Sequence, residues 1–274
     1  MNDNIGTWYK ESFVFSNYDS DALSFISAAG LTDSIQKSAI NTLVKDMKST
    51  NIWTKMKAIY PFVGGTALSH KWNLKDPRDL DIAFRLNFYG GITHSLTGAL
   101  PNGITGYANT HLIPNSSLIE NNIHISYYSE SNVNTGGDQT DIGALDSYGY
   151  FWLSPQYNTG IYVNRFLSRN SSNIILANCE NLDARGFYTS SKISNTVNSF
   201  KIYKNGILKD VKDGSGANPI SNIFLFAGSV NNFALYYTNR ECAFSTIGDG
   251  LTDIEASDFY NIVQKYQTTL GRNV

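Results

Sequence analysis

Charge is scarce in this chain. Only 16% of its 274 residues are Asp, Glu, Lys or Arg, the formal net charge is −2, and no Lys/Arg-rich run occurs. Nucleic acids and anionic membranes select basic patches, so neither is an expected partner. No apolar run approaches the roughly 18 residues that span a bilayer. The opening MNDNIGTWYKESF lacks the basic-then-apolar layout of a secretion signal. These absences predict a protein made and kept soluble in a cytoplasm. Cysteine occurs only at Cys179 and Cys242, with neither a C-x-x-C pair nor zinc-ligand spacing. Both are expected as buried free thiols, because a bridge between them requires an oxidising compartment.

Catalytic signatures are equally thin. His70, His94, His111 and His124 form no H-x-x-x-H pair, no Ser sits in a G-x-S-x-G elbow, and FVGGTAL and NTGGDQTD lack the Lys and spacing of a phosphate loop. The six Glu residues never lie within nine positions of one another. That removes the E-x-D-x-x-E strand of sandwich glucanases and leaves only a carboxylate pair assembled from distant strands. No cofactor is implied. Asp138 and Asp141, with Asp79, Asp81 and Asp146, are the carboxylates a loop-bound Ca²⁺ would use, although Asp and Asn serve equally as turn residues.

What the chain does have is 30 Asn, 22 Gly and 17 Tyr against 6 Pro, a mix suited to many short strands joined by tight turns. FRLNFYGG, HISYYSES, GIYVNRFL, SNIILANC, GFYTSSKIS and SNIFLFAGS read as such strands. Asn205-Gly206 lies between two alternating runs and predicts a type I′ hairpin. Helical spacing is confined to the two ends. It predicts helices over about 22–29 and 33–56, the second capped by Thr32 or Asp33, and one over 253–270 behind the capping box Thr252–Glu255. The expected fold is all-β, a sandwich decorated by these helices, with residues 1–21 as an attachment arm and 22–274 as a single domain.

Two stretches invite a functional reading. YGYFWLSPQYN places Trp152 with Tyr148, Tyr150 and Tyr157 in loop-rich text, the composition of an aromatic sugar platform; Phe151 and Trp152 fit a core equally well. KDPRDLDIAFR sets Lys75, Arg78 and Arg85 against Asp76, Asp79 and Asp81. Its charges sum to zero, and Pro77 biases Asp76 toward an extended shape. A turn locked by Asp–Arg pairing and feeding a strand over Ile82–Phe88 is expected, in place of a catalytic or metal site.

The strings IWTKMKAIYPFVGGTALSHKWNLKDPRDLDIAFRLNFYGGITHSLTGALPNGITGYANTHL and FSTIGDGLTDIEASDFYNIVQKYQTTLGR resemble structural proteins of tailed bacteriophages. In these, tail fibres and other virion appendages carry a domain of the concanavalin A-like lectin/glucanase type. The resemblance covers roughly residues 22 to 272 and implies a jelly-roll sandwich placed on the virion and assembled in the host bacterial cytoplasm. It carries no catalytic residues, so a non-enzymatic structural role is expected, with host-glycan recognition as the alternative and polysaccharide depolymerisation as a third. Fibre proteins usually place a long shaft before this domain; its near-immediate start here also fits a collar, head-fibre or capsid position. Implied partners are other virion proteins through the arm, further copies of the chain, as a trimer, and host-surface glycans.

Overall fold

The computed structural model describes residues 17–133, 137–158, 162–170, 173–181, 183–196, 198–212 and 216–274, except the side chains of 157–180 and 212. The expected arm lies outside the described residues up to position 16. Two sheets form a jelly-roll-like β-sandwich. The first runs β14 (Ile207–Lys212), β13 (Phe200–Lys204), β12 (Gly186–Lys192), β6 (Ile123–Ser129), β18 (Cys242–Gly248), β4 (Ala99–Pro101), β3 (Ile92–His94), with β1 (Met56–Tyr60) also on β18. The second runs β11 (Asn173–Glu180), β10 (Tyr162–Asn170), β8 (Tyr150–Leu153), β7 (Ile142–Leu145), β15 (Phe224–Leu225), β5 (Tyr107–Asn109), β2 (Asn87–Tyr89). A short β9 (Tyr157–Asn158) joins β10, β16 (Gly228–Val230) runs parallel to β7, and β17 (Phe233–Leu235) pairs with β16.

Helices close one face of the first sheet. Asp33 accepts from Gln36 N to start α2 (Ser34–Ser49), which follows α1 (Ser20–Ala28). The helix expected over 33–56 breaks at Asn51, whose φ of +61° cannot continue a helix; one further turn, α3 (Ile52–Lys55), precedes β1. After α4 (Ala67–His70) and α5 (Pro114–Ser117) comes α6 (Asp253–Thr269), begun by the Thr252–Glu255 capping box. No helix among the described residues is long and apolar enough to cross a membrane.

The result is three layers with two cores. Between the sheets lie Tyr60, Phe62, Leu86, Ile125, Tyr127, Phe151, Leu153 and Leu225. Between the first sheet and the helices lie Phe25, Leu43, Met47, Phe187, Phe244, Phe259 and Tyr266. Phe259 anchors α6, its ring 5.2 Å from Phe187 and 6.2 Å from Phe244. Covered on both sides, β6, β12 and β18 are buried along their whole length, polar positions included. Where β6 meets β18 the polar groups bond one another. His124 Nδ1 donates to Asp249 O at 2.6 Å, so its Nε2 accepts from Thr246 Oγ1 at 3.0 Å, and Ser126 Oγ lies 2.7 Å from the same hydroxyl.

The Asn205-Gly206 hairpin forms as expected, with φ of +52° and +70° and Lys204 opposite Ile207. The strand expected over Ile82–Phe88 does not. Asp81–Ala83 make a 3₁₀ turn, Phe84 takes φ +59°, and the strand is only Asn87–Tyr89. SNIFLFAGS likewise divides into β15 and β16 at Phe226, φ +70°.

Candidate functional site

The aromatic platform expected at Trp152 is not available. Along β8, Phe151 and Leu153 enter the sandwich core, which turns Tyr150 and Trp152 to the outer face of the second sheet. There Trp152 is covered and only 6% exposed. Tyr150 stands 4.3 Å and Tyr236 5.6 Å from it, centroid to centroid, and its ring lies so close to Gly228 that an added Cβ would stand 3.1 Å from Cζ3. Trp152 therefore packs the surface and offers no ring face. Tyr148 is exposed, and the Tyr157 side chain lies outside the described residues.

Asp141 and the carboxylates of the charged stretch are already paired. Asp141 is fully buried and holds Arg240 through Nε–Oδ1 at 2.9 Å and Nη2–Oδ2 at 2.6 Å, with Thr238 Oγ1 at 3.1 Å from Oδ1. The Ca²⁺ expectation for Asp141 is thereby corrected, since a guanidinium occupies the position a cation would need. Asp138 is exposed, and no group of three His, Cys, Asp or Glu suited to a metal occurs among the described residues. In the charged stretch Asp76 pairs with Arg78, Asp79 with both Lys71 and Arg85, and Asp81 with Arg85. Lys75 instead donates to Trp53 O at 2.9 Å and lies 4.3 Å above that ring.

The fold also joins residues that are remote in sequence. Glu130, just after β6, faces Glu241, just before β18, with Glu130 N donating to Glu241 O at 3.0 Å. Burial, reinforced by Glu241, pushes the Glu130 carboxyl up to about 7. His70 and His94 meet Nδ1 to Nδ1 at 3.0 Å, and burial holds His70 down at about 3. Cys242 is a buried free thiol, while the Cys179 side chain lies outside the described residues. Above the start of α6 a depression of about 480 Å³ is lined by Lys55, Glu120, Asn121, Asn122, Asn195 and Thr252. Much of its wall is internally bonded: Lys55 to Glu255 and Gly250 O, Asn122 to Gly250 N, Asn121 to Gly216 N.

A stacked aromatic row with an exposed end sits elsewhere, at the β2 edge of the second sheet. Leu86 and Phe88 turn to the core, so Arg85, Asn87 and Tyr89 turn outward. On β5, Ala108 turns in and Tyr107 and Asn109 turn out; Asn87 lies opposite Asn109 and Tyr89 opposite Tyr107. Tyr89 stacks on Tyr107 at 4.8 Å and 14°, Tyr107 meets Phe224 at 4.9 Å, and Tyr237 stands edge-on to Tyr107 at 6.5 Å. Burial, with the neighbouring Tyr89 and Tyr237 phenols, pushes the Tyr107 hydroxyl up. The signal for this row was the alternation in RLNFY and YAN; a search for the densest aromatic run passes over it.

No family model and no curated protein matches the chain. Among solved structures it is similar to domain 4 of AbnA, a GH43 extracellular arabinanase from Geobacillus stearothermophilus, in complex with arabinotriose. That match has 17% identity, covers 75% of this chain and 98% of that one, and has a TM-score of 0.47. The CBM40 of Ruminococcus gnavus IT-sialidase matches at 18% identity over 50% of this chain and 81% of that one, TM-score 0.37. A Trypanosoma rangeli sialidase mutant displaying trans-sialidase activity matches at 8% identity over 83% of this chain and 39% of that one, TM-score 0.48. These are partial likenesses, and no site residue is transferred from them.

Proposed function

We propose that the chain is a non-enzymatic structural component of a bacteriophage virion, a lectin-like sandwich displayed on a tail, collar or head appendage. The observation that carries the reading is the one-sided helical cladding. α1, α2 and α6 cover the first sheet, whereas the second sheet turns Asn87, Tyr89 and Tyr107 outward at its β2 edge. A sandwich of this kind has one face for architecture and one for display. The resemblance of its long strings to tailed-phage appendage proteins supports placing that display on the virion. Residues 1–21 attach the domain to other virion proteins, and the chain self-associates as a closed trimer. Peptide mass spectrometry of purified particles and light scattering of the isolated protein test this; a strictly monomeric protein absent from particles refutes it.

A second reading, recognition of host-surface glycans, is favoured by the Tyr89–Tyr107 row, because exposed aromatic rings beside side-chain amides suit sugars. The test is adsorption of the protein to host cells before and after removal of surface polysaccharide, with loss of adsorption expected. Incubation of the protein with the same polysaccharide separates binding from cleavage: release of reducing ends would end the non-enzymatic reading.

A further inference from the structure

We propose that the outer face of the β2–β5 edge is a saccharide subsite. In it the free ring face of Tyr89, the one turned away from Tyr107, stacks on a neutral pyranose whose hydroxyls bond to the Asn87 amide. The inference rests on the glycan-recognition reading above and assigns it a place and a ligand class.

Three observations carry it. The first is preorganisation. Tyr89 is 43% exposed on the terminal strand of its sheet, yet Tyr107 and then Phe224 back it in a continuous stack. The ring is therefore fixed before a ligand arrives, which lowers the ordering cost of binding.

The second is where the tyrosine hydroxyls point. Tyr60, Tyr127, Tyr203 and Tyr266 donate inward to Phe84 O, Arg240 O, Asp253 Oδ1 and Pro61 O at 2.6 to 3.0 Å. Tyr128 and Tyr188 likewise bond within the fold. Tyr89, Tyr107 and Tyr237 have no hydrogen-bond partner among the described residues, and neither does the Asn87 amide. The Asn87 amide thus stands beside the open ring face, on the same strand and the same side of the sheet, while the Tyr107 and Tyr237 phenols lie behind the ring. A pyranose matches this pattern, with an apolar C–H face and hydroxyls around its rim.

The third is charge. The row ends at Arg85, which Asp79 and Asp81 neutralise, and at His111, which burial keeps neutral. No unpaired charge is left to select an ionic ligand, whereas the depression near α6 is lined by polar groups largely bonded to one another.

The test applies the full chain to a printed array of bacterial surface saccharides, neutral and anionic. The strongest neutral oligosaccharide is then titrated by calorimetry against wild type, Tyr89→Ala, Tyr89→Phe and Asn87→Ala, with thermal melts as the folding control. Wild type is expected to bind neutral saccharides. Tyr89→Ala should weaken binding roughly tenfold or more, about 1.4 kcal/mol, with its melt close to wild type. Tyr89→Phe, which keeps the ring, should lose less, and Asn87→Ala should fall between them. Glycan binding that Tyr89→Ala and Asn87→Ala leave unchanged overturns the subsite while the glycan reading stands. Wild type binding no saccharide overturns both. Binding restricted to anionic saccharides and abolished by salt overturns the neutral class.

Discussion

Asp141→Asn is the substitution whose cost the structure fixes most firmly. Asp141 and Arg240 are both 0% exposed, joined by two hydrogen bonds of 2.9 and 2.6 Å. Arg240 Nη1 also donates to Gln139 Oε1 at 2.8 Å and Val133 O at 3.0 Å. The amide keeps the shape of the carboxylate but not its charge, so the guanidinium stays buried without a counter-ion. Breaking one side of a buried pair costs about 3–5 kcal/mol. For a chain of this size that lowers the melting temperature by roughly 10 °C. Replacing both partners, as in Asp141→Leu with Arg240→Met, removes the charge as well as its partner and should recover at least about 2 kcal/mol relative to the sum of the single changes. Guanidinium denaturation at pH 7 with all four chains gives the cycle, and wild-type melts with EGTA or added CaCl₂ should coincide. A cost below about 1 kcal/mol, an additive cycle, or a wild-type melt lowered by EGTA would refute the reasoning; the last would show that Asp141 serves a cation.

Three further outcomes are expected. Burial holds His124 at about 4 and His70 at about 3, below the ordinary value near 6.5. The unfolded chain therefore takes up protons first, and stability is lost as pH falls from about 6.5 toward 4, His124 contributing at most about 3 kcal/mol. Melts from pH 7 to 4.5 should show this, with a shallower slope in His124→Asn. Glu130 runs the other way. With its carboxyl raised to about 7, the folded state keeps a proton that the unfolded state gives up near 4.5, so stability is lost as pH rises from about 4.5 through 7. Because the group is only partly buried, Glu130→Gln should gain about 1–2 kcal/mol at pH 8 and nothing at pH 4.5; equal effects at both pH values would contradict the assignment. Finally, Gly206 has φ +70°, and an added Cβ would meet Tyr260 Cβ at 3.0 Å. Gly206→Ala should cost about 1–2 kcal/mol in urea denaturation.

The features legible in the sequence are those set by neighbours a few residues away. Asp33 and Thr252–Glu255 mark helix starts because a cap bonds within its own first turn. Asn205-Gly206 marks a hairpin because the turn alone demands positive φ. What escaped depends on partners far along the chain. Trp152 reads as a platform until Tyr236, 84 positions later, is found against it. Asp141 reads as a turn or calcium residue until Arg240 is found 99 positions away. Glu130 and Glu241 become a pair only when β6 and β18 lie side by side. The polar run in HISYYS looks half-exposed, yet it is buried throughout, because α6 seals the second face of its sheet.

The charged stretch acts on the tyrosine row through the backbone. Side chains in a strand alternate, so the residue at which the chain leaves the preceding turn decides which face Asn87 and Tyr89 take. That exit is Phe84, whose φ of +59° is unusual for a bulky residue and needs support. Arg85 reaches back to Asp79 at 2.5 Å and to Asp81 at 3.0 Å on the outside. On the inside Asn73 Nδ2 donates to Ala83 O at 3.0 Å, Tyr60 to Phe84 O at 2.7 Å, and Leu86 N to Lys71 O at 2.7 Å. Held from both sides, the turn delivers Leu86 and Phe88 to the core. A slip of one residue would expose those two and bury the amide and the ring. The pairing of Asp79 and Asp81 with Arg85 thus consumes the charges of this segment while fixing the phase in which Asn87 and Tyr89 face outward.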